Sequence, residues 1–305
     1  MIVAQEFIGT NLPKNKVLAL CYIARSSYYY RPSEGKQGRK PYAKAVNENG
    51  QVIDNELIVG YIHELFNHPF VDYGYYKTYI YLRRKKQLNL SKHLVYRLMK
   101  SHQLLRNQYV NSSKKSKRNW VKDLLPQVET AFCYLEFDIK FVWVAGQNRN
   151  MQVLTVLDVY SRWSISHYMS YSIKYQDVIG LFERIFEHMT IPERMYVRCD
   201  NGAQFIAEMV QKYFKAKQIV QEFTKPATPQ QNSHIESYHS IMESAVCQKF
   251  EFSNTSDAKK IMNQFRDFYN FERIHGGINF QSPAEFLLQK GIDMRNNPIN
   301  RVPIP

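Results

Sequence analysis

The chain has few cysteines and no long apolar run. None of its four cysteines forms a CxxC pair or stands at a zinc-binding distance from a histidine: Cys21, Cys133, Cys199 and Cys247. Buried free thiols in a reducing cytoplasm are therefore expected. No stretch reaches the roughly 20 apolar residues that span a bilayer, and the first residues lack the order of a secretory signal. These absences predict no structural zinc and no membrane partner.

Acidic residues are scarce in the first 125 residues. Lys and Arg outnumber Asp and Glu there by 22 to 8, whereas residues 126–305 hold 19 of each, so the formal charge of +14 lies entirely in the first part. A basic region joined to a neutral one predicts that the first binds a polyanion and the second acts on it. Basic surface that only aids solubility fits this asymmetry poorly.

Two carboxylates stand at the middle and the end of predicted strands. Asp138 lies inside the apolar run FCYLEFDIKFVWV, where an unpaired carboxylate is costly to bury and normally has a partner or a metal. Asp200, in YVRCDNGAQF, ends a strand and opens a turn. Strand ends are where α/β folds bind ligands, although a turn-forming Asp is the simpler interpretation of an isolated DNG.

A third carboxylate, Glu236, lies on a helix predicted to begin at Thr228-Pro229. Asn232, Glu236, His239 and Glu243 share one face of it, which a solvated surface would also show. Asn232 and His239 are secondary candidates for supporting the site or contacting DNA. Asp158 also ends an apolar strand, but the following Tyr160-Ser161-Arg162 favours a structural turn.

Asp138, Asp200 and Glu236, the last two with 35 residues between them, resemble the three-carboxylate signature of the transposase and retroviral-integrase superfamily. The resemblance implies a site for two Mg²⁺ ions, with Mn²⁺ as an alternative. Hard carboxylate oxygens match Mg²⁺, and two ions activate the attacking oxygen and stabilise the leaving one at a phosphodiester. Spacing alone is weak support, because the chain has 27 Asp and Glu. The local sequence around each residue strengthens the prediction of Asp138, Asp200 and Glu236 as catalytic metal ligands.

Helical periodicity in the first half predicts an all-α DNA-binding region. After a helix at 14–25 and a linker, which together form region 1–50, three helix-like segments predict a helix-turn-helix domain over 51–110. The third segment follows Ser91, a plausible N-cap, and its exposed face would present DNA-binding residues: Lys92, His93, Tyr96, Arg97 and Lys100. An ordinary basic surface is the alternative. Residues 111–128 are predicted as a basic linker.

The second half predicts an α/β catalytic core over 129–290, followed by a tail at 291–305. Three strands come first, at 132–144, 150–158 and 162–169, and helices then alternate with strands up to a helix at 229–248. This order matches a ribonuclease H-like mixed sheet, in which the first and fourth strands are neighbours. Asp138 and Asp200 could therefore meet, with Glu236 supplied by the last helix.

With these residues assembled, the chain resembles the second-frame transposases of the insertion sequence 3 family, which have a ribonuclease H-like integrase catalytic core. The similarity runs over nearly the full length, through ARSSYYYR, YGYYKTYIYLRR, DVYSRW, RCDNGAQF, IESYHS and FYNFERIHGGINFQSPAEF. It implies metal-dependent cleavage at the 3′ ends of an insertion sequence in double-stranded DNA, then strand transfer that gives a circularised element. It also implies bacterial, nucleoid-associated localisation.

The resemblance further implies partners. These are the terminal inverted repeats and target DNA, the upstream-frame product or a fusion with it, and further copies of the chain, because two DNA ends must meet. A catalytically silent DNA-binding protein derived from a transposase is the alternative function. A ribonuclease H-type nuclease shares the metal chemistry but does not explain residues 1–125.

Two positions depart from the family pattern. Relatives often carry Lys or Arg seven residues after the glutamate, where this chain has Glu243, and Thr where it has Lys140. A carboxylate at 243 cannot hold a phosphate directly. Either Lys249 or Arg273 is therefore expected to replace the missing cation, or recognition of the DNA end differs.

Overall fold

The computed structural model describes residues 2–10, 12–30, 44–106, 128–224 and 232–302, and the chain divides into the units Met1–Ala43 and Lys44–Pro305. The first unit contains helices α1 (Ile2–Gly9), α2 (Lys14–Leu20) and α3 (Arg25–Tyr29). The helix predicted at 14–25 is therefore interrupted, since Tyr22 takes a φ of 52°, the left-handed conformation that ends helices.

The second unit begins with a small sheet and three helices. These elements are β1 (Ala45–Asn47), β2 (Val52–Ile53), α4 (Asn55–Phe66), α5 (Tyr75–Lys85), β3 (Leu88–Asn89) and α6 (Lys92–Ser101). The three predicted helices are confirmed. The predicted linker is wrong at its end, because β1 pairs with both β2 and β3. Residues 31–43, and 107–127 with most of the predicted basic linker, lie outside the described ranges.

A five-stranded mixed sheet forms the centre of the second half. Its strands are β4 (Tyr134–Val144), β5 (Arg149–Asp158), β6 (Ser164–Ser170), β7 (Tyr196–Cys199) and β8 (Val220–Phe223), in the order β6-β5-β4-β7-β8. The first three pair antiparallel, whereas β7 pairs parallel with both β4 and β8. The predicted adjacency of the first and fourth strands is confirmed. This strand order and these directions are those of the predicted ribonuclease H-like mixed sheet.

Helices cover both faces of this sheet. The helical elements are α7 (Tyr175–Glu187), α8 (Ala203–Ile206), α9 (Glu208–Ala216), α10 (Ser233–Met242), a π-helical turn (Glu243–Cys247), α11 (Thr255–Phe271) and α12 (Pro283–Gln289). Because side chains alternate along a strand, β4 sends Leu135 and Phe137 into the core with α7 and α9. It sends Val142 and Val144 into the core with α10 and α11.

The end of the chain belongs to the first of these cores. Met294, Ile299 and Val302 are buried in it, so the predicted boundary at 290 separates residues that pack together. The thiol of Cys199 is buried, as expected, but the other three cysteines are half-buried. In the described ranges, no helix has the length and apolar character needed to cross a bilayer.

Polar contacts join the helix-turn-helix part to the core within the second unit. Asp72 forms a buried ion pair with Arg273 and accepts a hydrogen bond from Ser244 Oγ at 2.8 Å. Lys249 Nζ donates to the carbonyl oxygens of Pro69 at 2.9 Å and Val71 at 2.8 Å. The loop between α4 and α5 is therefore fixed to the segments that precede and follow α11.

Candidate active site

The sheet brings Asp138 and Asp200 together at one edge. Glu136 of β4 is paired in parallel register with Arg198 of β7, and two further residues along each strand lead to Asp138 and Asp200. Asp200 is exposed just beyond β7, and its Oδ1 accepts a hydrogen bond from the Gly202 N–H at 2.9 Å. A Cβ at Gly202 would lie 3.0 Å from that oxygen and 2.5 Å from Gln204 Nε2, so both side chains would have to shift to accommodate it.

A buried carboxylate places the helix that carries Glu236. Glu136 Oε2 accepts a hydrogen bond from the Ile235 N–H at 2.8 Å, and its Oε1 lies 2.9 Å from His234 Nδ1. Glu136 is fully buried, as is Ile235. The start of α10 is thereby held on β4, with Glu236 exposed beside the strand that carries Asp138.

The three predicted carboxylates lie within electrostatic reach of one another. Partial desolvation of its carboxyl group raises the pKa of Asp200, the hydrogen bond from the Gly202 N–H lowers it, and the charge of Asp138 raises it further. Burial also raises the pKa of Glu236, with the charges of Asp138 and Glu136 adding to it. Asp138 is therefore close enough to both Asp200 and Glu236 for its charge to act on each of them.

Asn232 and His239 are both buried, which favours the first of their two predicted roles, support of the site, over contact with DNA. His239 Nδ1 lies 3.5 Å from Asp138 Oδ2, and its Nε2 lies 3.4 Å from Thr155 Oγ1. Asn232 is 4% exposed at the start of α10. Support of the site is the role that fits both. The predicted helix start at Thr228-Pro229 lies outside the described residues.

The structural interpretation of Asp158 is confirmed. Its Oδ1 accepts a hydrogen bond from the Phe132 N–H at 2.9 Å, and its Oδ2 accepts from Ser161 N–H at 2.9 Å and Ser161 Oγ at 2.5 Å. The side chain is fully buried, and burial raises its pKa. Asp158 therefore stabilises the turn after β5 and lies outside the proposed metal site.

The two unusual residues, Lys140 and Glu243, form an ion pair with 2.8 Å between Lys140 Nζ and Glu243 Oε2. Lys249 and Arg273 have partners within the protein, which favours the second expectation, that recognition of the DNA end differs. Lys249 donates to two backbone carbonyl groups, and Arg273 is buried against Asp72.

Comparison with known proteins agrees with this architecture. Two sequence families described as Integrase core domain match residues 131–229 and 217–283, and a family described as HTH-like domain matches residues 53–111. InsK of Escherichia coli K12, named as a candidate transposase for insertion sequence element IS150, is 24% identical over 90% of this chain and 93% of its own length. Residues 131–283 are therefore similar to integrase core domains, and nearly the whole chain is similar to a protein of an insertion sequence.

Other similar proteins come from an insertion element and from a virus. An uncharacterized protein of insertion element IS407 in Burkholderia multivorans is 24% identical, over 49% of this chain and 54% of the relative. The chain thus spans about half the length of that relative. A chain in the intasome of simian T-cell lymphotropic virus gives a TM-score of 0.46 at 11% identity, covering 76% of this chain and 74% of the viral one.

The third helix of the helix-turn-helix part has the predicted amphipathic form. Ser91 Oγ accepts a hydrogen bond from the Leu94 N–H at 3.2 Å, which confirms it as the N-cap of α6. Leu94, Val95, Leu98 and Met99 are buried. All five predicted DNA-binding residues are exposed: Lys92, His93, Tyr96, Arg97 and Lys100. Their contact with DNA stays a prediction.

Sequence reasoning missed Glu136. It stands two residues before Asp138 in the same apolar run, and strand periodicity places both side chains on one face. A second carboxylate in a buried strand was the available signal. Its partners on α10 lie about 100 residues away in sequence, separated by 98 from His234 and by 99 from Ile235, so no local pattern reveals them.

The donor set of the site fits a divalent cation. Its carboxylate oxygens are hard ligands, and the like charges that raise the pKa of Asp200 and Glu236 are those that a cation neutralises. Within the described ranges, no three His, Cys, Asp or Glu side chains are already arranged around a single ion position. Asp138, Asp200 and Glu236 are the residues that would bind metal.

Proposed function

We propose that the chain is a DNA transposase that uses divalent metal ions to cleave the 3′ ends of an insertion sequence and join them to target DNA. The observation that carries this proposal is the grouping of Asp138, Asp200 and Glu236, which come from β4, the end of β7 and α10. Their electrostatic coupling supports a common role. Mg²⁺ is the proposed ion, with two ions per site and Mn²⁺ as a substitute.

The proposed reaction has two balanced displacements at phosphorus. In cleavage, a water oxygen bonds to phosphorus while the bond to the 3′ oxygen breaks, which leaves a 3′-hydroxyl and a 5′-phosphate. In strand transfer, that hydroxyl bonds to a target phosphorus while the target's bond to its own 3′ oxygen breaks, and this leaving oxygen takes up a proton. The bound ions would supply Lewis-acid chemistry.

The residues around the carboxylates have supporting roles in this proposal. Glu136 orients the start of α10 and thereby Glu236, while His239 stands between Asp138 and Thr155. The exposed basic face of α6 would bind double-stranded DNA. Because two ends must be joined, the proposed active form is a homo-oligomer on DNA. The upstream-frame product, separate or fused, is a further proposed partner.

A strand-transfer assay tests this function. Asp138→Asn, Asp200→Asn and Glu236→Gln would be compared with the intact chain on a labelled duplex that carries the terminal repeat, with Mg²⁺ and with EDTA. Glu208→Gln is the control, because Glu208 is highly exposed on α9, which packs against the opposite face of the sheet. Joined product from the intact chain and the control only, and only with Mg²⁺, is expected.

Two results would contradict the proposal. Joining by the Asp200→Asn or Glu236→Gln variant at the intact chain's rate would remove that residue from the site. Stable DNA binding without cleavage, with Mg²⁺ or Mn²⁺ and also after fusion to the upstream frame, would favour the silent DNA-binding protein.

A further inference from the structure

Lys140 places a cation on the same face of β4 as the catalytic candidate Asp138. The two residues are separated by one position, and strand periodicity sends both side chains towards α10. The burial pattern supports this, since Val142 and Val144 continue the same alternation into the core that contains α10 and α11. The Lys140 ammonium group therefore lies beside a site that otherwise collects negative charge.

The partner of Lys140 is half-exposed. Glu243 Oε2 lies 2.8 Å from Lys140 Nζ, and the side chains are 43% and 17% exposed, respectively. Glu243 begins the π-helical turn that follows α10, and such turns occur often at functional sites. An ion pair with a carboxylate this exposed contributes little to the stability of the fold, and another anion can readily replace the carboxylate.

Lys249 and Arg273, the two cations expected to replace the one missing at position 243, have partners within the protein. Lys249 is held by the carbonyl oxygens of Pro69 and Val71, and Arg273 is held by Asp72. Releasing Arg273 would leave a buried charge without a partner, and releasing Lys249 would break two hydrogen bonds to backbone carbonyl groups, one of them on the buried Val71. Lys140 differs, because its release from Glu243 would leave a carboxylate that water can reach.

We infer that Lys140 binds a phosphate of the DNA beside the carboxylate site, and that Glu243 holds the ammonium group until DNA replaces it. This inference rests on the proposed function for the identity of the ligand. Lys140 and Glu243 then act as a pair. The cation that was expected at position 243, after α10, is supplied by Lys140 on β4. The phosphate takes the position of the Glu243 carboxylate beside Lys140.

DNA binding at several salt concentrations, measured in EDTA with the terminal-repeat duplex, tests this inference without catalysis. Lys140→Met should weaken binding about 5- to 10-fold and make the slope of log K against log salt less negative by about 0.9, the loss of one phosphate contact. Lys140→Arg should keep the intact slope. Glu243→Gln should bind as tightly as the intact chain or more tightly, because a competing carboxylate is removed.

Lys212→Met is the matched control. Lys212 also forms a lysine-glutamate pair, with Glu208 at 2.7 Å, but on α9 and therefore against the other face of the sheet. Thermal melting of every variant shows whether it is folded. An equal salt slope for folded Lys140→Met and Lys212→Met would overturn the inference. A folded Lys140→Arg variant with the slope of Lys140→Met would overturn it too.

The two proposals fail separately. If Lys140→Met loses one phosphate contact but the intact chain joins no DNA, the inference about Lys140 stands and transposase activity is rejected. If the intact chain joins DNA efficiently but Lys140→Met keeps the intact salt slope, transposase activity stands and the inference about Lys140 is rejected.

Discussion

Glu136 accepts a hydrogen bond from the backbone N–H of Ile235 at 2.8 Å, which ties the strand that carries Asp138 to the helix that carries Glu236. The carboxylate also lies at the start of α10, where exposed N–H groups and the helix dipole favour negative charge. Glu136 therefore acts as a positioning residue. It fixes where Glu236 stands without itself being one of the proposed ligands.

Replacing Glu136 by alanine should reduce both stability and strand transfer. The change leaves the Ile235 N–H and His234 without their acceptor in a buried place, which costs about 1–3 kcal/mol. Glu136→Gln should be milder, because the amide oxygen still accepts from Ile235. Urea unfolding and the joining assay would measure these effects. Unaltered joining by a folded Glu136→Ala variant would show that α10 is positioned by other contacts.

Asp72→Ala should destabilise the second unit strongly. Burial alone would raise the pKa of Asp72, but Arg273 and Ser244 outweigh it and hold the pKa below its usual value. Removing the carboxylate leaves the buried Arg273 guanidinium unpaired, which costs about 3–5 kcal/mol. Asp267→Ala is the control, because Asp267 is 67% exposed and 3.9 Å from Arg266. Equal midpoints of urea unfolding for the two variants would refute this prediction.

The central sheet was predictable because its signals are local and long. β4 and β5 span 11 and 10 residues, and the change from strands to alternating helices and strands fixes the strand order. The proximity of two carboxylates could be predicted from this order, since Asp138 lies on β4 and Asp200 directly follows the neighbouring β7. In contrast, β2 and β3 have two residues each and become visible only when β1 pairs with them.

Side-chain pairs between distant segments were not predictable. Lys140 and Glu243 looked like two separate departures because 102 positions lie between them, and the π-helical turn at 243 has no sequence pattern. The burial of His239 and Asn232 was missed for a related reason. The polar face of a helix has the same sequence periodicity whether it packs against polar side chains of a strand or faces water, so the pattern does not show which is the case.

The free energy of unfolding should fall as the pH is lowered from 6.5 to about 3, because His167 is buried in its neutral form. Burial lowers the pKa of this histidine to about 3, with Arg266 and His239 adding to the effect, from an ordinary 6.5. Between these two pH values His167 binds a proton in the unfolded chain but not in the folded one. Its contribution to the free energy of unfolding is therefore fully present above pH 6.5 and is lost progressively towards pH 3. His167 also lies 2.6 Å, through Nε2, from the hydroxyl of Tyr238 on α10.

His167→Gln should flatten this profile, measured as the melting temperature at half-unit steps from pH 7 to pH 4. Part of the slope should persist, because burial also lowers the pKa of His275 well below its usual value. His63→Gln, a change on the exposed surface of α4, is the control and should keep the intact slope. A His167→Gln profile that is parallel to that of the control would assign the acid sensitivity elsewhere.

Lys92→Ala and Lys100→Ala should each weaken binding to the terminal-repeat duplex while leaving the fold intact. Both lysines are exposed on α6, whose opposite face is buried, so truncating them removes charge and not packing. Each lost phosphate contact makes the slope of log K against log salt less negative by about 0.9, and the double variant should lose about twice that. Lys212→Ala on α9 is the control. Slopes that match this control in all three variants would mean that α6 does not lie on DNA, and the basic segment at 111–120 would then be the next region to truncate.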